Sequence, residues 1–192
     1  MNNIVQTDGG DCMNSIKIVK YMTRAIESRK NCLNLAIDRG LGEGMQIEEW
    51  ILVEMLSKLV ELRNQGYLEN IEREHKYRFK KITGYEHCDL WWSLNNNQHW
   101  LEVKTIVLSK DQQRGSLKEI YKDLDKRNRL SKNDIFHHLS IIFPLDLKDE
   151  NLWKNQLDSL YKENGLKYEA DWHNETWNEQ FLLMILYKQV LR

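Results

Sequence analysis

Charged residues interrupt two short apolar runs near the middle of the chain. Glu102 and Lys104 lie two positions apart within the run Trp100–Leu108, and Asp89 begins the run Asp89–Leu94. Because strand side chains alternate between the two faces of a sheet, Glu102 and Lys104 are expected to point the same way. Two carboxylates and an amine suit metal-dependent phosphodiester hydrolysis, in which carboxylates hold Mg²⁺ and a lysine orients or deprotonates the attacking water.

A β-hairpin is the element predicted to bring these residues together. The asparagine-rich segment 95–97 separates the two runs and is typical of a tight turn. Neighbouring strands lie about 4.8 Å apart, so Asp89 and Glu102 can reach one ion. The backbone carbonyl of Val103 is a further oxygen that could contact the same ion.

The strongest helical pattern lies upstream, from Gln46 to about Gln65. Its apolar residues recur over a broad surface, and Gly66 stands where a C-terminal cap would fall. Glu54 lies between apolar neighbours in this helix. Burying a lone carboxylate is costly unless it has a partner, so Glu54 is expected to meet a lysine or a metal ion.

A second helix is predicted downstream, from Leu117 to about Leu130. Ser116 is a suitable N-cap, and Glu119 completes a capping box with it. The basic residues of this helix recur at three- and four-residue steps and are expected to share one face: Lys118, Lys122, Lys126 and Arg129. Such a face suits contact with a phosphate backbone, and it is equally typical of a solvated helix surface.

Weaker patterns predict the remaining elements. A polar tail precedes a helix from Asn14 to about Asn34, and a glycine-rich loop follows at Arg39–Gly44. The other predicted elements are a strand at Glu69–Phe79, a strand at His138–Phe143 stopped by Pro144, a helix at Glu150–Asn164, and a segment of ambiguous type at Glu179–Val190.

Composition limits the class of protein. The chain has 192 residues and a net charge of −1, as expected for one soluble domain without an overall basic surface. Nucleic-acid binding would therefore need a local basic patch. Three cysteines without CxxC spacing, first residues unlike a signal peptide, and a longest apolar stretch of only residues 181–187 favour a cytoplasmic protein that does not enter a membrane.

The order helix, strand, strand, strand, helix, strand, with the charged hairpin in its middle, resembles the αβββαβ core of the PD-(D/E)XK nuclease superfamily. The resemblance spans about residues 46–145, and Cys88 stands where the motif has proline. It implies a restriction-endonuclease-like α/β fold with a mixed central sheet flanked by helices. We therefore expect a tail and an extra N-terminal helix at 1–45, followed by a nuclease domain at 46–192.

The same resemblance implies an endonuclease that depends on Mg²⁺, for which Mn²⁺ can substitute. Its substrate would be DNA rather than RNA. The implied metal ligands are Asp89, Glu102 and the carbonyl of Val103, and Lys104 would assist the nucleophilic water.

Superfamily members often carry a glutamate on the first core helix. Glu54 is the first choice for that role in this chain, and Glu49 is the second. Many such nucleases work as homodimers. The apolar side of the N-terminal helix is the expected interface.

Alternative interpretations stay open at this point. The chain could keep the nuclease fold without cutting, and bind nucleic acid or a partner protein of a defence system or mobile element. Trp91 and Trp100, which share the charged face, could stack on bases, although core packing is the commoner role of tryptophan. The pairs His87–Cys88 and His137–His138 hint at zinc, but no second ligand pair has suitable spacing.

Overall fold

The computed structural model describes residues 13–29, 47–76, 86–107, 113–127, 130–131, 133–145, 155, 158–159, 162, 168–177 and 182–190. The helices with described bounds are α1 (Ser15–Ser28), α2 (Ile47–Asn64) and α3 (Gln113–Lys126). The strands are β1 (Asn70–Lys76), β2 (His87–Leu94), β3 (Asn97–Val107), β4 (Ile135–Leu145), β5 (Tyr168–Trp177) and β6 (Leu182–Val190).

The strands form one mixed sheet in the order β1-β2-β3-β4-β6-β5. Strands β3 and β4 are parallel, and every other neighbouring pair is antiparallel. A parallel pair needs a crossover connection, and α3 lies in the connection between β3 and β4. The expected α/β class is confirmed, and α2-β1-β2-β3-α3-β4 follow one another in the predicted order.

One face of the sheet packs against α1 and α2 and forms the hydrophobic core. On the helices, the largest fully buried side chains recur at three- and four-residue steps, as in Ile18, Met22 and Ile26 of α1. We call the sheet surface they cover the apolar face; it consists of Leu90, Trp92, Leu101, Val103, Leu139 and Ile141. Alternation along β2 and β3 turns the neighbouring residues to the opposite, charged face, which carries Asp89, Trp91, Trp100, Glu102 and Lys104.

Local sequence explains where α2 ends. Gly66 has φ +80°, a left-handed conformation that glycine adopts without steric cost. Its N–H donates to the carbonyl of Arg63 at 2.9 Å, and the N–H of Tyr67 donates to the carbonyl of Leu62 at 3.0 Å. These two bonds form a Schellman motif, so the predicted helix and its glycine cap are both confirmed.

The predicted hairpin is also confirmed. Strands β2 and β3 pair antiparallel as far as Leu94 and Asn97, which leaves a loop of two residues. Those residues, Asn95 and Asn96, have φ of 52° and 62°. Positive φ at both positions is the requirement of a type I′ turn, and asparagine tolerates it better than most residues.

The predicted start of the helix α3 and the predicted end of the strand β4 are wrong. Helix α3 begins at Gln113, so Ser116 lies inside it and is not its N-cap. Glutamine and arginine are good helix formers, which lets the helix start before the serine. Strand β4 continues through Pro144 to Leu145, and its register with β6 shifts between Ile142 and Leu145. A proline is tolerated at such an irregularity because no ladder N–H is needed there.

The C-terminal part adds two strands to the sheet. The segment of ambiguous type is strand β6, and it lies between β4 and β5. Strand β5 was not predicted, since its sequence YEADWHNETW is rich in residues that are uncommon in strands. Within the helix predicted at Glu150–Asn164, the described residues 155, 158, 159 and 162 are helical.

Some expectations lie outside the described residues. These are the loop at Arg39–Gly44, the boundary between 45 and 46, and Arg129. The apolar side of α1, the expected dimer interface, is buried in the core with α2 and the sheet. This surface is therefore not available to a second copy of the chain, and homodimerisation itself stays a prediction. Among the described residues, no helix has the length and apolar character needed to cross a membrane.

Candidate active site

Asp89 lies where β2 and β3 diverge. The pairing of these strands ends at Leu90 and Leu101, so Val103 has no backbone partner on the β2 side. The carboxylate of Asp89 takes that position, and its Oδ2 accepts a hydrogen bond from the N–H of Val103 at 2.7 Å. A buried backbone N–H needs an acceptor, and here a carboxylate is held beside the charged segment of β3 to provide one.

The environment of Asp89 raises its pKa to about 6. Burial is the main cause, and the negative charge of Glu48 adds to it. The hydrogen bond from Val103 and the positive charge of Lys126 act in the opposite direction. Asp89 is therefore mostly ionised at pH 7 but holds a proton more tightly than an ordinary aspartate.

Glu102 is the most deeply buried carboxylate of this region, with 1% of its surface exposed. Its Oε2 accepts a hydrogen bond from the Nζ of Lys126 at 2.9 Å. The same ammonium lies 2.9 Å from Oδ1 of Asp123, so α3 supplies both other members of this ion triad. Burial lowers the pKa of Lys126, but the two carboxylates outweigh that effect and leave the pKa raised.

Lys104 meets a glutamate from the first turn of α2. Its Nζ lies 3.5 Å from Oε2 of Glu48, and the same oxygen accepts a hydrogen bond from the N–H of Thr105 at 2.9 Å. An acidic residue is also stabilised at a helix N-terminus by the helix dipole. Glu48 thus connects the start of α2 to the charged segment of β3.

The helix glutamate at this site is Glu48 rather than Glu54. Glu54 instead lies 3.6 Å from Nε of Arg29, at the end of α1, and its side chain is 25% exposed. The two glutamates are six positions apart, which places them roughly 120° apart around the helix and about 9 Å apart along it. Its neighbour Val53 is 50% exposed, so apolar neighbours in the sequence did not indicate burial.

A cleft adjoins these residues between α2 and β1. Its volume is about 350 Å³, and it is lined by Ile47, Glu48, Glu49, Leu52, Arg73, Glu74 and Asp89. Arg73 binds Glu49, the second choice for the helix glutamate, and lies 3.2 Å from Glu74. Four carboxylates against one guanidinium make the cleft acidic, which favours a cation over a bare phosphate.

The basic residues predicted to share one face of α3 do not all point in the same direction. Lys118 and Lys122 are exposed, and Lys122 pairs with Glu119 at 2.6 Å. Lys126 instead turns inward with Asp123. Each four-residue step rotates the side chain by about 40°, so two steps carry Lys126 about 80° away from Lys118.

His138 is a further group that the sequence did not assign to this site. It pairs in register with Glu102 on the neighbouring strand, and 1% of it is exposed. Burial lowers its pKa to about 4, and the charges of Lys126 and Lys104 act in the same direction while Asp123 opposes them. The imidazole is therefore neutral at pH 7.

One signal could have identified the α3 contribution. Asp123 lies between Ile120 and Leu124, which are 0% and 1% exposed and mark the inner side of the helix. A charged pair at 123 and 126 beside such a stripe predicts a buried ion pair. The choice of Glu48 over Glu54 had no comparable signal, because it depends on how α2 is rotated against the sheet.

An aromatic cluster lies next to the carboxylates on the charged face. Glu74 has φ 54°, and this left-handed residue turns His75 onto the face that carries Trp91 and Trp100. The ring of His75 stacks on Trp91 at 4.5 Å between centroids and lies 5.2 Å from Trp100. Trp100 is 4% exposed and is a packing residue; Trp91 is partly exposed.

A second cluster of buried histidines lies on the apolar face. Nδ1 of His99 and Nε2 of His137 are 3.0 Å apart, and both rings stack with Trp92 at 5.2 Å. Burial lowers the pKa of His99 to about 4. Burial also lowers the pKa of His137 well below its usual value, and the neighbouring His99 adds to that effect. Cys88 does not join them; its thiol points to the carbonyl of Leu90, and burial raises its pKa.

The carboxylates suit a hard divalent ion only in part. Among the described residues no group of three or more His, Cys, Asp or Glu side chains is arranged to hold a metal ion. Mg²⁺ is commonly bound by one or two protein carboxylates, with waters and substrate phosphate completing its shell. Asp89 and Glu102 fit that requirement in chemistry and location, although Lys126 contacts Glu102.

Comparison with known proteins adds no relative. Family models, curated proteins and solved structures were each compared with the chain, and none matches it.

Proposed function

We propose that this chain is a metal-dependent nuclease of the PD-(D/E)XK type that hydrolyses phosphodiester bonds, with DNA as its substrate. One observation carries the proposal. The Asp89 carboxylate is bonded to the backbone of Val103. This contact holds one acidic side chain against the strand segment that carries a second carboxylate and a lysine.

The proposed roles follow from chemistry and position. Asp89, Glu102 and the carbonyl of Val103 supply hard oxygen ligands. When bound there, Mg²⁺ polarises the scissile phosphate and lowers the pKa of a bound water. Lys104 orients or deprotonates that water and stabilises developing negative charge. Glu48 holds the ammonium of Lys104 in place.

Two features of the surface support a phosphate substrate. Lys118 and Lys122 are exposed on α3, the helix that also contributes Lys126 to Glu102. With a net charge of −1 overall, such a local patch is the means by which the chain would contact a nucleic-acid backbone. The acidic cleft would repel that backbone unless a cation is bound, which agrees with metal dependence.

The test is a cleavage assay with Mg²⁺ or Mn²⁺ on linear, circular and single-stranded DNA and on RNA. The wild-type chain is expected to cut DNA only when metal is present. Asp89→Asn and Glu102→Gln keep the size of the side chains and are expected to abolish cutting. Cutting by both variants at the wild-type rate would contradict the assignment of the site. No cutting by the wild type would contradict the proposed nuclease activity.

The second candidate function is a nuclease-fold module that binds nucleic acid or a defence-system partner without cutting. The contact between Glu102 and Lys126 favours it, because the buried carboxylate already has a cation. This candidate predicts nucleic-acid binding that persists in a metal chelator. Binding would also survive Asp89→Asn.

A matched pair of helix variants tests the assignment of Glu48. Glu48→Gln is expected to lower the cleavage rate about 10–100-fold, the usual effect of losing a group that orients a catalytic residue. Glu54→Gln, on the same helix but paired with Arg29, is expected to cut at the wild-type rate. Single-turnover rates at saturating metal measure both, and a larger loss in Glu54→Gln would reverse the assignment.

A further inference from the structure

The ion triad of Glu102, Asp123 and Lys126 places a protein cation at the carboxylate proposed to bind metal. Lys126 is the last residue of α3, and its Nζ lies 2.9 Å from an oxygen of each carboxylate. Glu102 is 1% exposed, whereas the side chain of Lys126 is 19% exposed. The ammonium therefore reaches the buried carboxylate from the more open side.

A carboxylate buried this deeply needs a positive partner. An ammonium or a metal ion can each satisfy it, since both compensate the loss of hydration. The two cations repel each other when they share one carboxylate. Occupancy by one therefore weakens the other.

We propose that Lys126 is an internal counter-ion that competes with the divalent metal for Glu102. Asp123 lies one helical turn from Lys126 and stays paired with it when Glu102 is released, so the ammonium has a second position. A phosphodiester backbone offers Lys126 another anion. Substrate and metal therefore bind cooperatively, and the chain binds metal weakly in the absence of nucleic acid.

This inference rests on the proposed function, and metal binding tests it without cleavage. Mn²⁺ binding to the full chain is measured by electron paramagnetic resonance and calorimetry. The proteins are wild type, Lys126→Met, Lys122→Met and the double variant Lys126→Met/Glu102→Gln. Circular dichroism and thermal unfolding establish that each is folded, and Lys126→Gln replaces Lys126→Met if the latter is not.

Lys126→Met is expected to bind Mn²⁺ more tightly than the wild type, by a factor in the usual range for coupled sites of about 5–150. Lys122→Met removes the same charge from the same helix at an exposed position paired with Glu119. Measured without DNA, which Lys122 is proposed to contact, this variant should bind Mn²⁺ as the wild type does. The double variant Lys126→Met/Glu102→Gln should not show the tighter Mn²⁺ binding expected of Lys126→Met. Adding a non-cleavable DNA to the wild type should tighten its Mn²⁺ binding.

Three results would overturn the inference. If the wild type and Lys126→Met bind Mn²⁺ equally, Lys126 does not compete, and the proposed metal site stands. If Lys122→Met tightens binding as much as Lys126→Met, the effect is one of overall charge. If no protein binds Mn²⁺ with or without DNA, the metal-dependent function itself fails along with the competition.

Discussion

Lys104→Met is expected to lower the rate of metal-dependent cleavage about 10²–10³-fold, the usual range for losing a group that transfers a proton or stabilises charge at a reacting centre. Methionine keeps the length and packing of the lysine stem and removes only the ammonium. That ammonium lies 3.5 Å from Glu48, and its side chain is 25% exposed, so its loss leaves no deeply buried charge unpaired. The variant should therefore fold and bind DNA as the wild type does.

The control for this prediction is Lys122→Met. It removes one positive charge from the exposed side of α3, away from β3, and is expected to change DNA affinity more than the cleavage rate. Single-turnover rates and DNA dissociation constants are measured for both variants at one ionic strength. Cleavage by Lys104→Met within threefold of the control would remove Lys104 from the catalytic group.

Acidification is expected to destabilise the folded chain through its buried histidines. The pKa values of His99 and His138 are about 4 in the folded chain, below the ordinary value of 6.5. The unfolded chain therefore binds protons first, and stability that is present above pH 6.5 is lost as pH falls toward 4. At pH 5 each of these two histidines should lower the free energy of unfolding by about 2 kcal/mol relative to pH 8.

Asp89 acts in the opposite direction. The pKa of Asp89 is raised to about 6 in the folded chain. Its contribution to stability is therefore fully present at a pH below the ordinary aspartate pKa of 3.8 and is lost as the pH rises through 6. It offsets part of the histidine effect near pH 5. Asp89→Asn should accordingly be more sensitive to acid than the wild type.

Urea unfolding at pH 8 and pH 5 measures the effect. His99→Gln cannot be protonated in this range, so the difference between the two free energies of unfolding should shrink by about 2 kcal/mol. Gln98→Asn, at an exposed position of β3 next to His99, changes no titratable group, serves as the control and should keep the wild-type difference. An unchanged difference in His99→Gln would show that His99 is protonated in the folded chain.

Periodicity in the sequence predicted much of the framework. The apolar stripe and Gly66 predicted α2, and the asparagine turn predicted the hairpin. Alternation alone put Glu102 and Lys104 on one face with Asp89 on the neighbouring strand. These features depend on residues close together in the chain, where local geometry determines direction.

The remaining features depend on tertiary packing. Glu48 replaces Glu54 because of the rotation of α2 against the sheet, which no pattern within the helix encodes. Lys126 turns inward because α3 crosses over β3, where Glu102 attracts it. Strand β5 pairs with β6 despite its polar sequence, since its neighbour supplies the hydrogen bonds that a strand needs.

The parallel pairing of β3 with β4 has a consequence for the nascent chain. Strands β1, β2 and β3 are consecutive and antiparallel, so they can pair as soon as residue 107 has left the ribosome. At that stage Glu102 has neither Asp123 nor Lys126 beside it, because α3 (Gln113–Lys126) has not yet emerged from the ribosome. The carboxylate acquires its cation only when α3 packs against β3, and the acidic centre is therefore completed after β1, β2 and β3 have paired.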